Sequence, residues 1–180
     1  MKLNLGCGIH TLDSYINIDG EDYPGVDSHM DLRKLPYKEE SVDEVYSKDV
    51  LEHFGWREWR DVLTEWVRVI RPGGVIKLRF PDIDMLIANY QNEIMRIGKR
   101  EEEVRKTLLR NNFNRFIQLL FGNQDFINNA HLTGLTAEVV TEFLEGLGMT
   151  VLPHWYDGGR DCRVTATKGE PIDVNLLHPE

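Results

Sequence analysis

The sequence has few of the residues that mark several common classes of protein. It contains two cysteines among 180 residues, Cys7 and Cys162, which argues against a disulfide framework and fits a reducing compartment. Acidic residues outnumber basic ones by 30 to 21, and the net charge of -9 argues against a nucleic-acid partner. No apolar run approaches the about 20 residues of a membrane span. We therefore expect a cytoplasmic protein that binds neither nucleic acid nor membrane.

Two phosphate-binding signatures are missing as well. No G-x-x-x-x-G-K-[ST] sequence occurs, so a Walker loop is absent. The stretch Leu3-Asn-Leu-Gly-Cys-Gly8 reads as a strand and a glycine turn, but Thr11 stands where a dinucleotide fingerprint has its third glycine. The following connection has hardly any room for the helix that would hold a pyrophosphate. These features disfavour NAD and favour a cofactor without phosphates.

Hydrophobic patterning predicts one α/β domain over residues 1–180, Rossmann-like, with a mostly parallel sheet and a terminal antiparallel hairpin. The connections between the first four strands are too short for full crossover helices. After the fifth strand, a helical insertion over 83–133 begins at Asp82, a good helix cap. The predicted strands are 2–5, 16–18, 26–30, 42–46, 75–80, 149–152 and 162–167, and the predicted helices are 56–70, which is the clearest, 83–98 and 136–148. Arg71-Pro-Gly-Gly74 is the predicted turn that ends the first helix, and Thr136 is the predicted cap of the last one. Residues 99–110 are predicted to form a solvated helix face, 113–122 continue an apolar stripe, and the last dozen residues are a predicted polar tail.

Polar and glycine residues follow the first strands at the edge where open α/β sheets bind ligands. Glycines at 6 and 8 let the backbone approach a ligand closely. A carboxylate at Asp19 can accept hydrogen bonds from both hydroxyls of a ribose. Asp31 can accept from an adenine amino group, while the N–H of Leu32 meets a ring nitrogen. The pattern predicts an adenosine-bearing cofactor, and S-adenosylmethionine is one that lacks phosphates.

With these motifs, the sequence resembles the class I S-adenosylmethionine-dependent methyltransferases, within them a compact group of small type 11-like predicted enzymes. The resemblance implies a seven-stranded sheet and S-adenosyl-L-homocysteine as the product. Asn4 departs from it, because many members have an acid there. The matching stretches are 3–8, 16–19, 31–36, 41–46, 50–54 and 65–74, and the implied cofactor-binding residues are Leu5, Gly6, Cys7, Gly8, Asp19, Gly20, Asp31, Leu32 and Ser47.

Methyl transfer from a sulfonium needs an acceptor atom held behind the methyl group, and a base assists an oxygen or nitrogen acceptor. The candidate catalytic residues are His53, Asp49 and His131. No two histidines or cysteines have metal-ligand spacing, so the sequence predicts no metal site. Ser47-Lys-Asp-Val50 replaces the Asn/Asp-Pro-Pro-aromatic run of many base-methylating enzymes. Together with the acidic charge, this favours a small-molecule acceptor, such as a sugar or another surface-polymer precursor, selected by residues 83–133.

Two other functions fit parts of the pattern. A non-catalytic S-adenosylmethionine-binding subunit would keep the same glycines and acids, and an NAD-dependent oxidoreductase or epimerase is the weaker alternative. The short early connections also leave little helix to cover the flank of the first three strands. Because parallel sheets normally bury both faces, we expect a second copy of the chain, in a homodimer, or the 99–130 segment to cover that flank.

Overall fold

The computed structural model describes residues 1–98, 100–125 and 127–169. The polar tail predicted for the last dozen residues lies, from residue 170 onward, outside this described part. Short 3-10 turns occupy Leu51–His53 and Ile127–Asn129. The strands and helices are β1 (Lys2–Leu5), β2 (Ile16–Asp19), β3 (Ser28–His29), β4 (Val42–Lys48), α1 (Trp59–Val69), β5 (Ile70–Pro81), α2 (Ile83–Ile97), α3 (Glu102–Phe121), α4 (Ala137–Gly146), β6 (Met149–Val151), β7 (Trp155–Asp157) and β8 (Asp161–Lys168).

The strands form one open sheet in the order β3-β2-β1-β4-β5-β8-β6, with β7 paired to β8. Strands β1 to β5 are parallel, and β8 runs antiparallel to β5, β6 and β7. This confirms the predicted fold class. The additional strand β7 lies within the predicted hairpin loop, along the same edge of β8 as β6. The two segments are separated at Pro153, which has no N–H to donate to a ladder.

The first crossover is a series of turns, as its length predicted. Asn4 and Asn17, neighbours on β1 and β2, hold this connection in place. The Asn4 amide donates to the side-chain oxygen of Asn17 at 2.9 Å and to the carbonyl of His10 at 3.0 Å. The same Asn17 oxygen accepts from the backbone N–H of Leu12 at 2.8 Å. Buried side-chain amides therefore satisfy backbone groups that a crossover helix would otherwise pair internally.

The two faces of the sheet differ in chemistry. The first face carries an apolar row across five strands, and α1 and α4 contribute to the same buried cluster. The second face carries a polar row whose members hydrogen bond to one another and to nearby charges. The apolar row is Ile16, Leu3, Val45, Ile76 and Ala166, and the polar row is Asn17, Asn4, Tyr46, Lys77 and Thr165.

This asymmetry removes the physical reason for expecting a cover over the first three strands. Glu44 on the polar face accepts from the hydroxyl of Tyr15 at 2.6 Å and pairs with Lys77 at 2.8 Å and Lys2 at 3.1 Å. A face built from such pairs can meet water without exposing apolar surface. Helix α3, in the 99–130 segment, packs mainly against α2. The homodimer stays a prediction.

The turn predicted at Arg71-Pro-Gly-Gly74 is instead the beginning of a long strand. Helix α1 ends at Val69, and β5 starts at Ile70 opposite an irregularity in β4 between Val42 and Glu44. A side chain at Gly74 would place its Cβ 2.9 Å from the carbonyl oxygens of Arg71 and Asp43. Glycine is therefore needed here because the two strands approach closely at a bulge. Bulges are common positions for glycine, as turns are.

The buried carboxylate of Asp82 joins the two ends of the helical insertion. Asp82 caps α2 by accepting from the N–H of Asp84 and of Met85, and its other oxygen accepts from the N–H of Ala137 at 2.8 Å. Thr136 caps α4, as predicted. The two predicted segments 99–110 and 113–122 form the continuous helix α3, which has no fully buried residue. No helix in the described ranges is long and apolar enough to cross a membrane.

Candidate active site

The glycine loop after β1 is tied to the end of β2. Gly6 has a φ of +70°, and a Cβ there would lie 2.3 Å from a methyl group of Val50, so no larger residue fits. The N–H groups of Gly6 and Cys7 both donate to the carbonyl of Ile18, at 2.8 and 3.1 Å. The loop therefore presents its backbone at the carboxyl end of the sheet, where ligands of open α/β sheets bind.

Asp19 links this loop to the connection after β2. Its Oδ2 accepts from the N–H of Gly8 at 2.7 Å, and its Oδ1 accepts from the N–H of Glu21 at 2.9 Å. Each carboxylate oxygen has a second lone pair, so both can still accept from a ligand. Asp19 is thus already oriented by the backbone before any ligand binds.

A cleft of about 520 Å³ opens above these strand ends, within the range of small-molecule sites. Most predicted cofactor residues line it, and the catalytic candidates Asp49 and His53 reach it from the turn after β4. The predicted residues among its described lining are Gly6, Gly8, Asp19, Gly20, Asp31, Leu32, Asp49 and His53.

Three predicted cofactor residues are absent from the described lining of the cleft. Leu5 is fully buried, and the hydroxyl of Ser47 donates to its carbonyl at 3.0 Å. Cys7 is buried, and burial raises the pKa of its thiol to about 11, so the thiol is protonated near neutral pH. Leu5 and Ser47 therefore support the loop from below, while Cys7 points away from the cleft.

The sequence reasoning missed one wall of the cleft. Asn128, Asn129, Ala130 and Leu132 line it from the loop after α3, opposite the loop after β2. The side-chain amide of Asn128 donates to the carboxylate of Glu21, which joins the two loops across the cleft. The polar run around His131 was the only available signal, since no periodicity places this loop against β2. The other missed lining residues are Glu21, Tyr23, His29, Met30, Arg33, Val50 and Phe54.

Asp49 is held in an unusual conformation by a paired charge. Its φ is +57°, a region that residues other than glycine seldom occupy. Arg79 on β5 donates to both carboxylate oxygens, at 2.9 and 2.6 Å, and also pairs with Asp161 at 3.2 Å. This bidentate pair holds both carboxylate oxygens of Asp49 in place, so the side chain is part of an ion-pair network with Arg79 and Asp161.

The two candidate histidines meet beside a buried glutamate. The rings of His53 and His131 lie edge to face with centroids 5.1 Å apart. The backbone N–H groups of Leu132 and Thr133 both donate to the carbonyl of Glu52, which fixes the loop of His131 against the turn of His53. Burial, followed by the neighbouring His53, lowers the pKa of His131 below its usual value. The fold thus gathers all three catalytic candidates.

A second cleft of about 480 Å³ adjoins the first on the insertion side. Asp49, His53 and Asn129 line both clefts, so the predicted catalytic groups stand at their boundary. His131 and Glu52 line the second cleft, together with Arg115 of α3. This geometry separates a cofactor-sized space, bounded by strand ends, from a polar space bounded by the insertion.

The fold and the clefts define an open α/β protein with a nucleoside-sized site at the carboxyl ends of its strands. A family model of the methyltransferase domain matches residues 7–78, which include Cys7 and Gly8 of the glycine loop, Asp19, Asp31 and the turn after β4. No curated protein sequence matches the chain.

Several solved structures share the architecture. A protein from Pyrococcus horikoshii OT3 has a TM-score of 0.61 and 16% identity, with 93% of this chain and 81% of the other chain covered. A methyltransferase from Thermotoga maritima, described as a possible histamine N-methyltransferase, has a TM-score of 0.59 and 14% identity over 93% and 81% of the two chains. One from Methanosarcina mazei has a TM-score of 0.61 and 13% identity over 93% and 91%. Such low identities establish the fold alone, and the domain match supports the resemblance to class I S-adenosylmethionine-dependent methyltransferases over residues 7–78.

Proposed function

We propose that this protein transfers a methyl group from S-adenosyl-L-methionine to a small-molecule acceptor with an oxygen or nitrogen nucleophile. The observation that carries the proposal is the convergence of the glycine loop, Asp19 and Asp31 on one cleft that adjoins a second, polar cleft. The first cleft suits the adenosine, and the second is open to an acceptor. Cytoplasmic location and a sugar-like or surface-polymer precursor acceptor belong to this proposal.

The chain's contribution to the chemistry is chiefly geometric. The sulfonium is already activated, so holding the acceptor in line with the methyl group can supply about 7 to 11 kcal/mol of the barrier. His53 stands at the boundary of the two clefts, where an attacking atom would pass. An imidazole nitrogen with a free lone pair can take the proton of the acceptor as a general base. Residues of the 83–133 insertion, including Arg115, would select the acceptor.

Cofactor binding is tested first by calorimetry with S-adenosyl-L-homocysteine. Replacing Asp19 by alanine removes the ribose acceptor, and hydrogen bonds to a charged group contribute about 1.5–3 kcal/mol each. We expect at least a tenfold weaker affinity, or roughly 1.4 kcal/mol. Asp22→Ala, an exposed aspartate in the same connection, is the matched control and should bind like the parent. Equal affinities for all three proteins would contradict the ribose assignment.

Turnover is tested with a panel of hydroxyl- and amine-bearing small molecules, by following formation of S-adenosyl-L-homocysteine. His53→Ala and His131→Ala should each lower turnover much more than cofactor affinity. Equal losses of both would assign that histidine a structural role. Binding without turnover on any acceptor would favour a non-catalytic subunit. A thermal shift with NAD and none with S-adenosyl-L-homocysteine would favour the oxidoreductase alternative.

A further inference from the structure

Three side chains that commonly ligate metals meet at the boundary of the two clefts. Glu52 and His53 lie in the 3-10 turn after β4, and His131 lies in the loop after α3. One potential ligand atom from each of them lies within 4.8 Å of the other two. The histidines are far apart in sequence, so their spacing alone gave no indication of a metal site. Tertiary structure creates the cluster.

Glu52 is the member whose placement most needs an explanation. Its side chain is almost completely buried, and among the described residues neither carboxylate oxygen has a hydrogen-bond partner. Nε2 of His131 stands 4.0 Å from Oε1, and Arg79 is instead bonded to Asp49 and Asp161. Burying an acid without a partner is costly, and a coordinated metal ion is one of the few groups that offset this cost.

The imidazole of His53 is already oriented as metal-ligating imidazoles usually are. Nδ1 of His53 lies 3.0 Å from the carbonyl of Ala130. A carbonyl can only accept, so Nδ1 carries the proton and Nε2 keeps its lone pair. Ligating histidines typically donate their other N–H in this way, which fixes ring and tautomer.

We propose that Glu52, His53 and His131 bind a divalent transition-metal ion whose remaining coordination positions open into the second cleft. Two imidazoles and one carboxylate suit first-row ions such as Zn²⁺ or Mn²⁺ and leave positions free for water or substrate. Bonds of about 2.0–2.2 Å place ligand atoms roughly 3 to 4 Å apart, so closure from at most 4.8 Å needs only a small movement.

This inference rests on the proposed function and specifies its acceptor as a compound whose hydroxyl coordinates the ion. It also replaces His53 as the base, because Nε2 of His53 would be coordinated and would have no lone pair left for a proton. The ion acidifies that hydroxyl, and its proton passes to water. The oxygen then forms a bond to the methyl carbon while the carbon–sulfur bond breaks. The electron pair of that bond stays on sulfur, which becomes the neutral thioether of S-adenosyl-L-homocysteine. No redox change occurs, so no further reactant is needed.

The test is titration of chelator-treated protein with Zn²⁺, Mn²⁺ and Mg²⁺ separately, by calorimetry and without any cofactor. We expect one Zn²⁺ or Mn²⁺ per chain, with weaker binding of Mg²⁺ because it prefers oxygen ligands. Glu52→Gln and His131→Gln should each weaken binding at least tenfold. His10→Gln, which alters an exposed histidine outside the cluster, is the matched control and should bind like the parent. Circular dichroism checks that each variant is folded.

Absence of a stoichiometric site for Zn²⁺ or Mn²⁺ would overturn the inference. Equal metal affinities of the parent and of a folded His131→Gln variant would also overturn it. This second comparison decides the question even if the Glu52→Gln variant fails to fold. S-adenosyl-L-homocysteine is titrated separately into the same preparations. If S-adenosyl-L-homocysteine binds but no metal site is found, only the inference of a metal site is wrong. If a metal ion binds but S-adenosyl-L-homocysteine does not, the proposed function is wrong and the cluster is a metal site of another kind.

Discussion

The buried Glu52 makes stability depend on pH in a direction opposite to that of most carboxylates. Burial raises its pKa from 4.5 to about 8. Between these values the folded chain holds a proton that the unfolded chain has lost. The free energy of unfolding therefore falls as the pH rises, with a slope that approaches about 1.4 kcal/mol per pH unit. From pH 5 to pH 8 the loss sums to about 3 kcal/mol.

Replacing Glu52 by glutamine keeps the shape and removes the titration. In chelator-treated protein, the variant should gain stability relative to the parent as the pH rises, by about 3 kcal/mol between pH 5 and pH 8. Urea unfolding at several pH values measures this difference. His131, whose pKa is lowered, changes the parent's stability in the opposite sense, and subtracting the two proteins' values largely cancels its contribution.

Glu142→Gln is the control, because Glu142 is an exposed residue of α4. Its stability should follow the parent's at each pH. If the Glu52→Gln difference changed by less than about 1 kcal/mol over the same range, Glu52 would titrate alike in the folded and unfolded chains. The description of its carboxyl as buried and unpartnered would then be wrong for the protein in solution.

Two further substitutions test the framework of the site. Gly6→Ala should lower the free energy of unfolding by about 3 kcal/mol and weaken S-adenosyl-L-homocysteine binding, because the added Cβ would clash with Val50. Gly8→Ala should lower the free energy of unfolding by only about 1 kcal/mol, because the space around Gly8 is open. Similar values for the two glycines, by urea unfolding, would refute the steric reasoning. Asp82→Ala should lower the free energy of unfolding by about 3 kcal/mol, because three N–H groups lose their acceptor. Thr136→Ala, which removes a single cap, should lower it by about 1 kcal/mol. A smaller loss for Asp82→Ala than for Thr136→Ala would contradict the role of Asp82 in joining α2 to α4.

The cleft at the strand ends could be predicted because its signals are local. A glycine turn after β1 and an acid after β2 are each read from a few neighbouring residues. Parallel strands then bring their carboxyl ends to one edge. Gly6, Asp19 and Asp31 accordingly line one cleft in the structure. The same local reading identified the caps at Asp82 and Thr136.

The cluster of Glu52, His53 and His131 depends on contacts between residues that are distant in sequence. Nothing near His131 in sequence indicates that its loop bonds to the carbonyl of Glu52, so the cluster was not predictable. The polar face was missed for a different reason. Strand β1 is so short that Asn4 between two leucines did not reveal an alternating pattern. The predicted break at Gly74 failed because glycine serves both turns and bulges.

Helix α3 has no fully buried residue, whereas the strands that end at the cofactor cleft are buried in the core. Replacements on α3 therefore change surface and cleft chemistry at little expense in folding free energy, typically within about 0.5 kcal/mol for exposed positions. Replacements at the strand ends risk the core. Substitutions can therefore accumulate in the insertion more readily than at the strand ends, so the chemistry of the second cleft can change while the first cleft is kept.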